Sequence, residues 1–204
     1  MNNQVHIVGA GGHTRSLINL LTSNDYIING IYDNNYDEQN NETIMSSRLI
    51  GKISNIGIND LLVLSFGDNS IREKHFHQLK NQLVSKNLLH YKALIESHFK
   101  SGISNQIFAN VYINSNVVIG DNNIINTGAI IEHEVEIKSH NHISVGSIIC
   151  GRVKIGNNCF IGAGSTVIDK ISICDNVIIG ANSVVIKEID MPGTYVGNPV
   201  RRIK

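Results

Sequence analysis

A strict period of six runs through the second half of the chain. Counting by six from Ile107, the residues Ile113, Ile119, Ile125, Ile131, Ile137, Ile143, Ile149, Ile155, Ile161, Val167, Ile173, Ile179 and Val185 are all isoleucine or valine. A helix repeats its apolar face every 3.6 residues and a straight strand every two, so neither produces this pattern. A backbone that turns a corner once per repeat does. Three flat segments then close one coil of about eighteen residues, and successive coils stack their aliphatic side chains into a continuous interior column. Two residues before these positions stand mostly slim side chains: Val111, Val117, Ala129, Val135, Ser147, Val153, Cys159, Ser165, Val177 and Ser183. Asn123, Asn141 and Ile171 depart from that rule. Gly120, Gly156, Gly162 and Gly180 directly follow an aliphatic position, where a corner favours a residue without a Cβ. The expectation for residues 91–204 is a parallel β-helix.

Residues 1–90 carry a different signature. The apolar run Gln4 to Val8 enters Gly9-Ala-Gly-Gly-His13, after which Leu17, Ile18, Leu20 and Leu21 recur at helical spacing. Tyr26 to Tyr32 is a second β-rich run ending at Asp33, Leu61 to Phe66 a third, and Ile71 to Leu83 a second helical pattern. Alternating strands and helices predict a small parallel α/β sheet, a Rossmann-like half. Glycines at a strand-to-helix turn let a phosphate approach backbone N–H groups where the helix dipole adds attraction. Thr14 stands where a dinucleotide fingerprint has its third glycine, which argues against bound NAD.

Composition excludes several classes. At 204 residues, 42% hydrophobic and 17% charged, the chain is an ordinary globular sequence with room for two small domains. Lys plus Arg and Asp plus Glu number 17 each, leaving no net field to gather nucleic acid. Met1-Asn2-Asn3-Gln4 has no basic or apolar leader character, and no stretch reaches the roughly 18 apolar residues that span a bilayer. A cytoplasmic location is expected. Cys150, Cys159 and Cys174 lack a CxxC spacing, which disfavours a disulfide framework or structural zinc.

The runs Val117-Val-Ile-Gly-Asp-Asn-Asn-Ile-Ile-Asn and Val153-Lys-Ile-Gly-Asn-Asn-Cys-Phe-Ile-Gly-Ala-Gly-Ser resemble hexapeptide-repeat acyltransferases. Gly9-Ala-Gly-Gly-His13, Phe66-Gly-Asp-Asn-Ser-Ile-Arg72, Glu132-His-Glu134, Asn141-His-Ile-Ser-Val-Gly146 and Gly197-Asn-Pro199 extend the resemblance to both halves. The similar branch comprises sialic acid O-acetyltransferases and N-acetyltransferases of nucleotide-linked 4-amino-sugars, as in the bacillosamine pathway. It implies a left-handed β-helix, acetyl-CoA as co-substrate, no metal, and a homotrimer with acetyl-CoA clefts between subunits. It also implies a nucleotide-sugar pocket at the glycine turn and the end of the second strand, with Gly11, Gly12, His13, Asp33 and Asn34, and the loop of Gly67 and Asp68 is placed there because it ends the third strand beside the expected crevice. In that pocket His13 meets the phosphates and Asp33 the base. The family often has two successive acidic residues at the second site, whereas Asn34 follows Asp33 here, so uracil, thymine and guanine all stay open.

His133 lies two residues past Ile131, at a corner of the predicted coil, between Glu132 and Glu134. Acetyl transfer from a thioester requires a base, because the attacking amine or hydroxyl loses a proton as it is acylated, and imidazole suits that task. A carboxylate can fix its tautomer, but successive strand residues face opposite ways, so Glu134 reaches His133 only if the chain bends there. Glu132 meets the same obstacle, and Glu136 lies past the corner. The resemblance selects His133 as base with Glu134 as partner. It gives His142 and the Gly151 N–H the thioester carbonyl, and it runs the pantetheine past Gly162, Ala163, Gly180 and Ala181. His142 lies half a coil from His133, so a site using both forms between neighbouring helices. A metal-dependent hydratase with His133, His140 and His142 on zinc, or a non-enzymatic scaffold, leaves the glutamates and the N-terminal domain without purpose. O-acetylation of sialic acid is the nearer alternative. The expected activity is N-acetylation of a nucleotide-linked 4-amino-4,6-dideoxyhexose.

Overall fold

The computed structural model describes residues 3–204, so the leader-free start expected at Met1 and Asn2 lies outside the described residues. The chain divides into two compact units, one ending at Leu88 and the other spanning Leu89–Lys204. Among the described residues no helix is long and apolar enough to cross a membrane.

In the first unit, strands β1 (Gln4–Val8), β2 (Ile27–Tyr32), β3 (Thr43–Ile44), β4 (Ser47–Gly51) and β5 (Leu62–Leu64) form a sheet ordered β3-β4-β2-β1-β5. All pairs are parallel except β3 with β4. Helix α1 (His13–Thr22) turns Leu17, Ile18, Leu20 and Leu21 to the core. Thr14 sits where a glycine would let helix and strand touch, and it joins them by hydrogen bonds instead. Its buried hydroxyl donates to Gly9 O at 3.0 Å and accepts from Ser65 Oγ at 2.9 Å, tying the ends of β1 and β5 to the start of α1. The second helix, α2 (Asn69–Leu79), begins earlier than its apolar pattern because Asp68 caps it, accepting from Ile71 N at 2.8 Å. It ends earlier too, in a 3-10 turn over Lys80–Gln82. The hairpin β3–β4 was not legible: its two turn residues, Met45 and Ser46, both take left-handed backbone angles without the Asn-Gly or Asp-Gly that announces such a turn.

The second unit is the left-handed parallel β-helix. Its first face contains Tyr112–Ile113, Ile130–Ile131, Ile148–Ile149, Thr166–Val167 and Val184–Val185, paired in parallel with a register of one coil. The second face contains Val118–Ile119, Glu136–Ile137, Lys154–Ile155 and Ser172–Ile173. On the third, Gln106–Ile107, Ile124–Ile125, His142–Ile143, Phe160–Ile161 and Val177–Ile179 lead to a terminal hairpin of Gly193–Gly197 and Val200–Arg202. The aliphatic positions counted by six form the core.

The corners correct one expectation. Gly120, Gly156, Gly162 and Gly180 are not the left-handed residues; those come two positions later, at Asn116, Asn122, Glu134, His140, Arg152, Asn158, Lys170, Asn176 and Asn182, with Gly128, Gly146 and Gly164 in the same role. Asparagine tolerates that conformation, which accounts for its abundance here. The glycines are required by stacking: a Cβ at Gly162 would lie 2.6 Å from Ala181 N, and one at Gly120 2.5 Å from Ser139 Oγ.

Asn123 and Asn141, the two polar departures in the slim positions, extend a buried ladder that begins at Asn105. Asn105 Oδ1 accepts from Asn123 N at 2.8 Å, Asn123 Oδ1 from Asn141 N at 2.8 Å, and Asn141 Oδ1 from Cys159 N at 2.7 Å. Each amide side chain satisfies a backbone N–H that the strand pairing leaves over. Asn141→Val should therefore lower unfolding free energy in chemical denaturation by about 1–3 kcal/mol, the cost of an orphaned buried amide. Wild-type stability in this variant would remove the ladder from the account.

Candidate functional site

The first unit carries a cleft of about 420 Å³ at the carboxyl ends of its strands. Gly11, Gly12 and His13 enter it from the start of α1, Asp33 from the end of β2, and Gly67 and Asp68 from the end of β5. Asn34, grouped with them by sequence, is not on the wall; Asn35 takes its place, joined by Glu42 and Leu49. The cause is an Asx turn, in which Asp33 Oδ1 accepts from Asn35 N at 2.8 Å. The other oxygen, Oδ2, accepts from Ala10 N at 2.7 Å, so Asp33 clasps the glycine turn. No side chain caps α1, and nothing lies within 4 Å of where a Cβ would stand at Gly11 or Gly12. An uncapped helix N-terminus with open glycines is suited to an anion.

Arg72, part of the Phe66–Arg72 motif, does not line this cleft but supports one wall of it from behind. It is fully buried, donating to Phe66 O at 3.0 Å and to Asn69 Oδ1 at 2.8 Å, and burial lowers its pKa to about 9. These bonds hold the Phe66–Gly67 segment, whose ring lies against Gly9 so closely that a Cβ there would stand 2.9 Å from it.

In the second unit, Glu134 is one of the left-handed corner residues, with φ +60°. That bend turns consecutive side chains toward each other, and His133 Nδ1 meets Glu134 Oε2 at 3.2 Å. The other two candidates are engaged elsewhere. Glu132 accepts from Asn114 Nδ2 at 2.7 Å, and Glu136 pairs with Lys154 at 3.1 Å. One coil on from His133 lies Gly151, and a Cβ there would stand 2.6 Å from both Cε1 and Nε2 of the imidazole. The glycine thus makes room for the ring edge that Glu134 does not occupy. The adjacent Cys150 is no rival nucleophile, since burial first, then the charges of Glu132 and Asp169, push its thiol pKa up. Arg152 is paired with Asp169 at 3.0 Å.

His142 belongs to the third face, edge-on to Phe160 with ring centroids 5.0 Å apart. Asn126 Oδ1 accepts from Thr127 N at 2.8 Å, which orients the amide so that Nδ2 donates to His142 Nε2 at 3.1 Å. In the tautomer in which Nε2 accepts that bond, Nδ1 carries the proton. His133 and His142 sit on different faces of one prism and do not bond each other. Gly162 is buried, and a Cβ there would stand 2.6 Å from both Ala181 N and Gly180 C, while Ala181 is exposed and Ala163 and Gly180 are half-buried. The small size of Gly162 is thus a stacking requirement, and the outer edge of this column is an open strip.

Residues 4–79 match the family model described as the PglD N-terminal domain, and residues 152–187 match that of the bacterial transferase hexapeptide (six repeats). No curated protein matches the chain. Among solved structures, the acetyltransferase domain of PglB from Neisseria gonorrhoeae FA1090 is 23% identical with a TM-score of 0.91, covering 99% of this chain and 100% of that one. The same domain in complex with acetyl coenzyme A is 22% identical with a TM-score of 0.88, each chain being covered completely. A point mutant of GDP-perosamine N-acetyl transferase from Caulobacter crescentus, in complex with CoA and GDP-perosamine, is 25% identical with a TM-score of 0.88, covering 98% of this chain and 97% of that one. Both modules match in order and the fold is matched along its length, so the chain combines a region similar to the PglD N-terminal domain with hexapeptide transferase repeats, in the arrangement of these nucleotide-sugar acetyltransferases.

Proposed function

We propose that the protein transfers an acetyl group from acetyl-CoA to the 4-amino group of a nucleotide-linked 4-amino-4,6-dideoxyhexose. The observation that carries this reading is the His133–Glu134 pair at a left-handed corner, its far ring edge opening over Gly151. Glu134 on Nδ1 fixes the tautomer in which Nε2 is the acceptor. The acceptor nitrogen then attacks the thioester carbonyl as Nε2 takes its proton; the tetrahedral oxyanion collapses, the C–S bond breaks, and the thiolate leaves with that proton. The Gly151 N–H and His142 Nδ1–H are the proposed donors to the carbonyl oxygen. Pantetheine runs along Gly162, Ala163, Gly180 and Ala181.

His133 and His142 lie on different faces, and the first face exposes Leu94 and Ile148, which supports a homotrimer whose clefts join residues of neighbouring subunits. In the N-terminal cleft, the open glycine turn and His13 hold the phosphates, with Asp33, Gly67 and Asp68 around the nucleoside. The test is acetyl-CoA consumption against UDP-, dTDP- and GDP-linked 4-amino-4,6-dideoxyhexoses with free sialic acid alongside. Turnover of sialic acid alone would replace the reading with O-acetylation.

His133→Ala should lower kcat by about 10²–10⁴ at unchanged melting temperature, since the imidazole lies outside the aliphatic column. Gly151→Ala should also lower kcat, by at least about tenfold, because its Cβ displaces the imidazole. A loss under about fivefold in His133→Ala at saturating substrates would move the base elsewhere.

Asp33→Ala should raise the KM for the nucleotide sugar by roughly ten- to hundredfold, the worth of a charge-assisted hydrogen bond, leaving the KM for acetyl-CoA nearly unchanged. Since the same carboxylate holds Ala10 N, the variant should also unfold more easily by about 1 kcal/mol. An unaltered sugar KM would take Asp33 out of the pocket.

A further inference from the structure

Three carboxylates line the N-terminal cleft, and their hydrogen bonds sort them. Asp33 gives both oxygens to backbone N–H groups, of Ala10 and Asn35. Asp68 caps α2 through Ile71 N. Glu42, immediately before β3, lines the cleft, is exposed to solvent, and makes no side-chain hydrogen bond or ion pair among the described residues. Its backbone carbonyl accepts from Leu49 N at 3.0 Å, which fixes it beside the buried Leu49, the larger of the two aliphatic residues on the wall.

Position adds a second argument. The glycine turn lies at the end of β1, and β2, β4 and β3 follow it across the sheet. Neighbouring strands are spaced by about 4.8 Å, so the edge beside Glu42 is roughly 14 Å from the phosphate end, comparable to an extended nucleoside diphosphate. Phosphates on the glycine turn therefore bring the base toward Glu42 and its apolar neighbour.

We propose that Glu42 reads the base of the nucleotide-linked sugar and selects guanine, a reading that rests on the proposed nucleotide-sugar function of this cleft. Guanine presents N1–H and the exocyclic N2–H side by side, matching the two oxygens of a carboxylate in a bidentate, charge-assisted pair. Uracil and thymine present a single N3–H between two carbonyl oxygens, which face the carboxylate with like partial charge. A pocket that hydrogen-bonds a donor pair rejects the analogue lacking one, because its own group is then left unpaired.

The test is isothermal titration of the full chain, as wild type, Glu42→Ala and Glu42→Gln, with GDP, inosine diphosphate, UDP and dTDP. Inosine diphosphate lacks only the exocyclic amine. Wild type should bind GDP at least about tenfold more tightly than the other three, and Glu42→Ala should bring all four within about twofold while leaving UDP affinity and melting temperature unchanged. A GDP preference that survives in Glu42→Ala overturns the proposal. So does an equal loss for all four nucleotides, which would place Glu42 on the ribose. Wild-type protein that binds none of them refutes the nucleotide reading of the cleft itself, an outcome distinguishable from a failure at Glu42.

Discussion

Everything in the C-terminal unit depends on one constraint: each coil must return to the same place so that Ile stacks on Ile and backbone N–H groups find carbonyls on the neighbouring coils. Three left-handed corners per coil achieve the return, and the stacking distance forbids a side chain at Gly120, Gly156 and Gly162. The same constraint makes chemistry possible. A column of aligned positions places His133 directly against Gly151, and a left-handed corner folds Glu134 back onto His133. On a flat strand those two side chains would point apart.

The N-terminal unit solves a different problem with hydrogen bonds. Its glycine turn is held by Asp33 from one side and by the Thr14 hydroxyl from beneath, while buried Arg72 fixes the facing segment. These groups leave the N–H end of α1 uncapped and open. Rigidity around a helix end that no side chain caps is what an anion site needs, since the ligand then meets donors that do not have to be reorganised.

Much of this was legible in the sequence because period six admits few backbones, and because Gly9-Ala-Gly-Gly-His13 follows an apolar run. What was hidden has physical causes. Stacking position and corner position differ by two residues, so glycines that looked like corners are contact points. Asn123 and Asn141 looked like flaws in an apolar rule, because a buried amide ladder appears only when residues one coil apart are brought together. Asn34 was grouped with Asp33 because nothing in two adjacent letters reveals an Asx turn that presents Asn35 instead. The hairpin carrying Glu42 left no mark, since Met45 and Ser46 are unusual residues for left-handed turn positions.

The central claim is that His133 enables acetyl transfer to a sugar nitrogen. Its most direct measurement is carbon-13 NMR of the product formed from carbonyl-labelled acetyl-CoA and a GDP-linked 4-amino-4,6-dideoxyhexose labelled with nitrogen-15. The account predicts a one-bond carbon–nitrogen coupling in the product of the wild-type protein and almost no labelled product with His133→Ala over the same interval. Label arriving as an ester without that coupling, or forming at an undiminished rate in the variant, would contradict it.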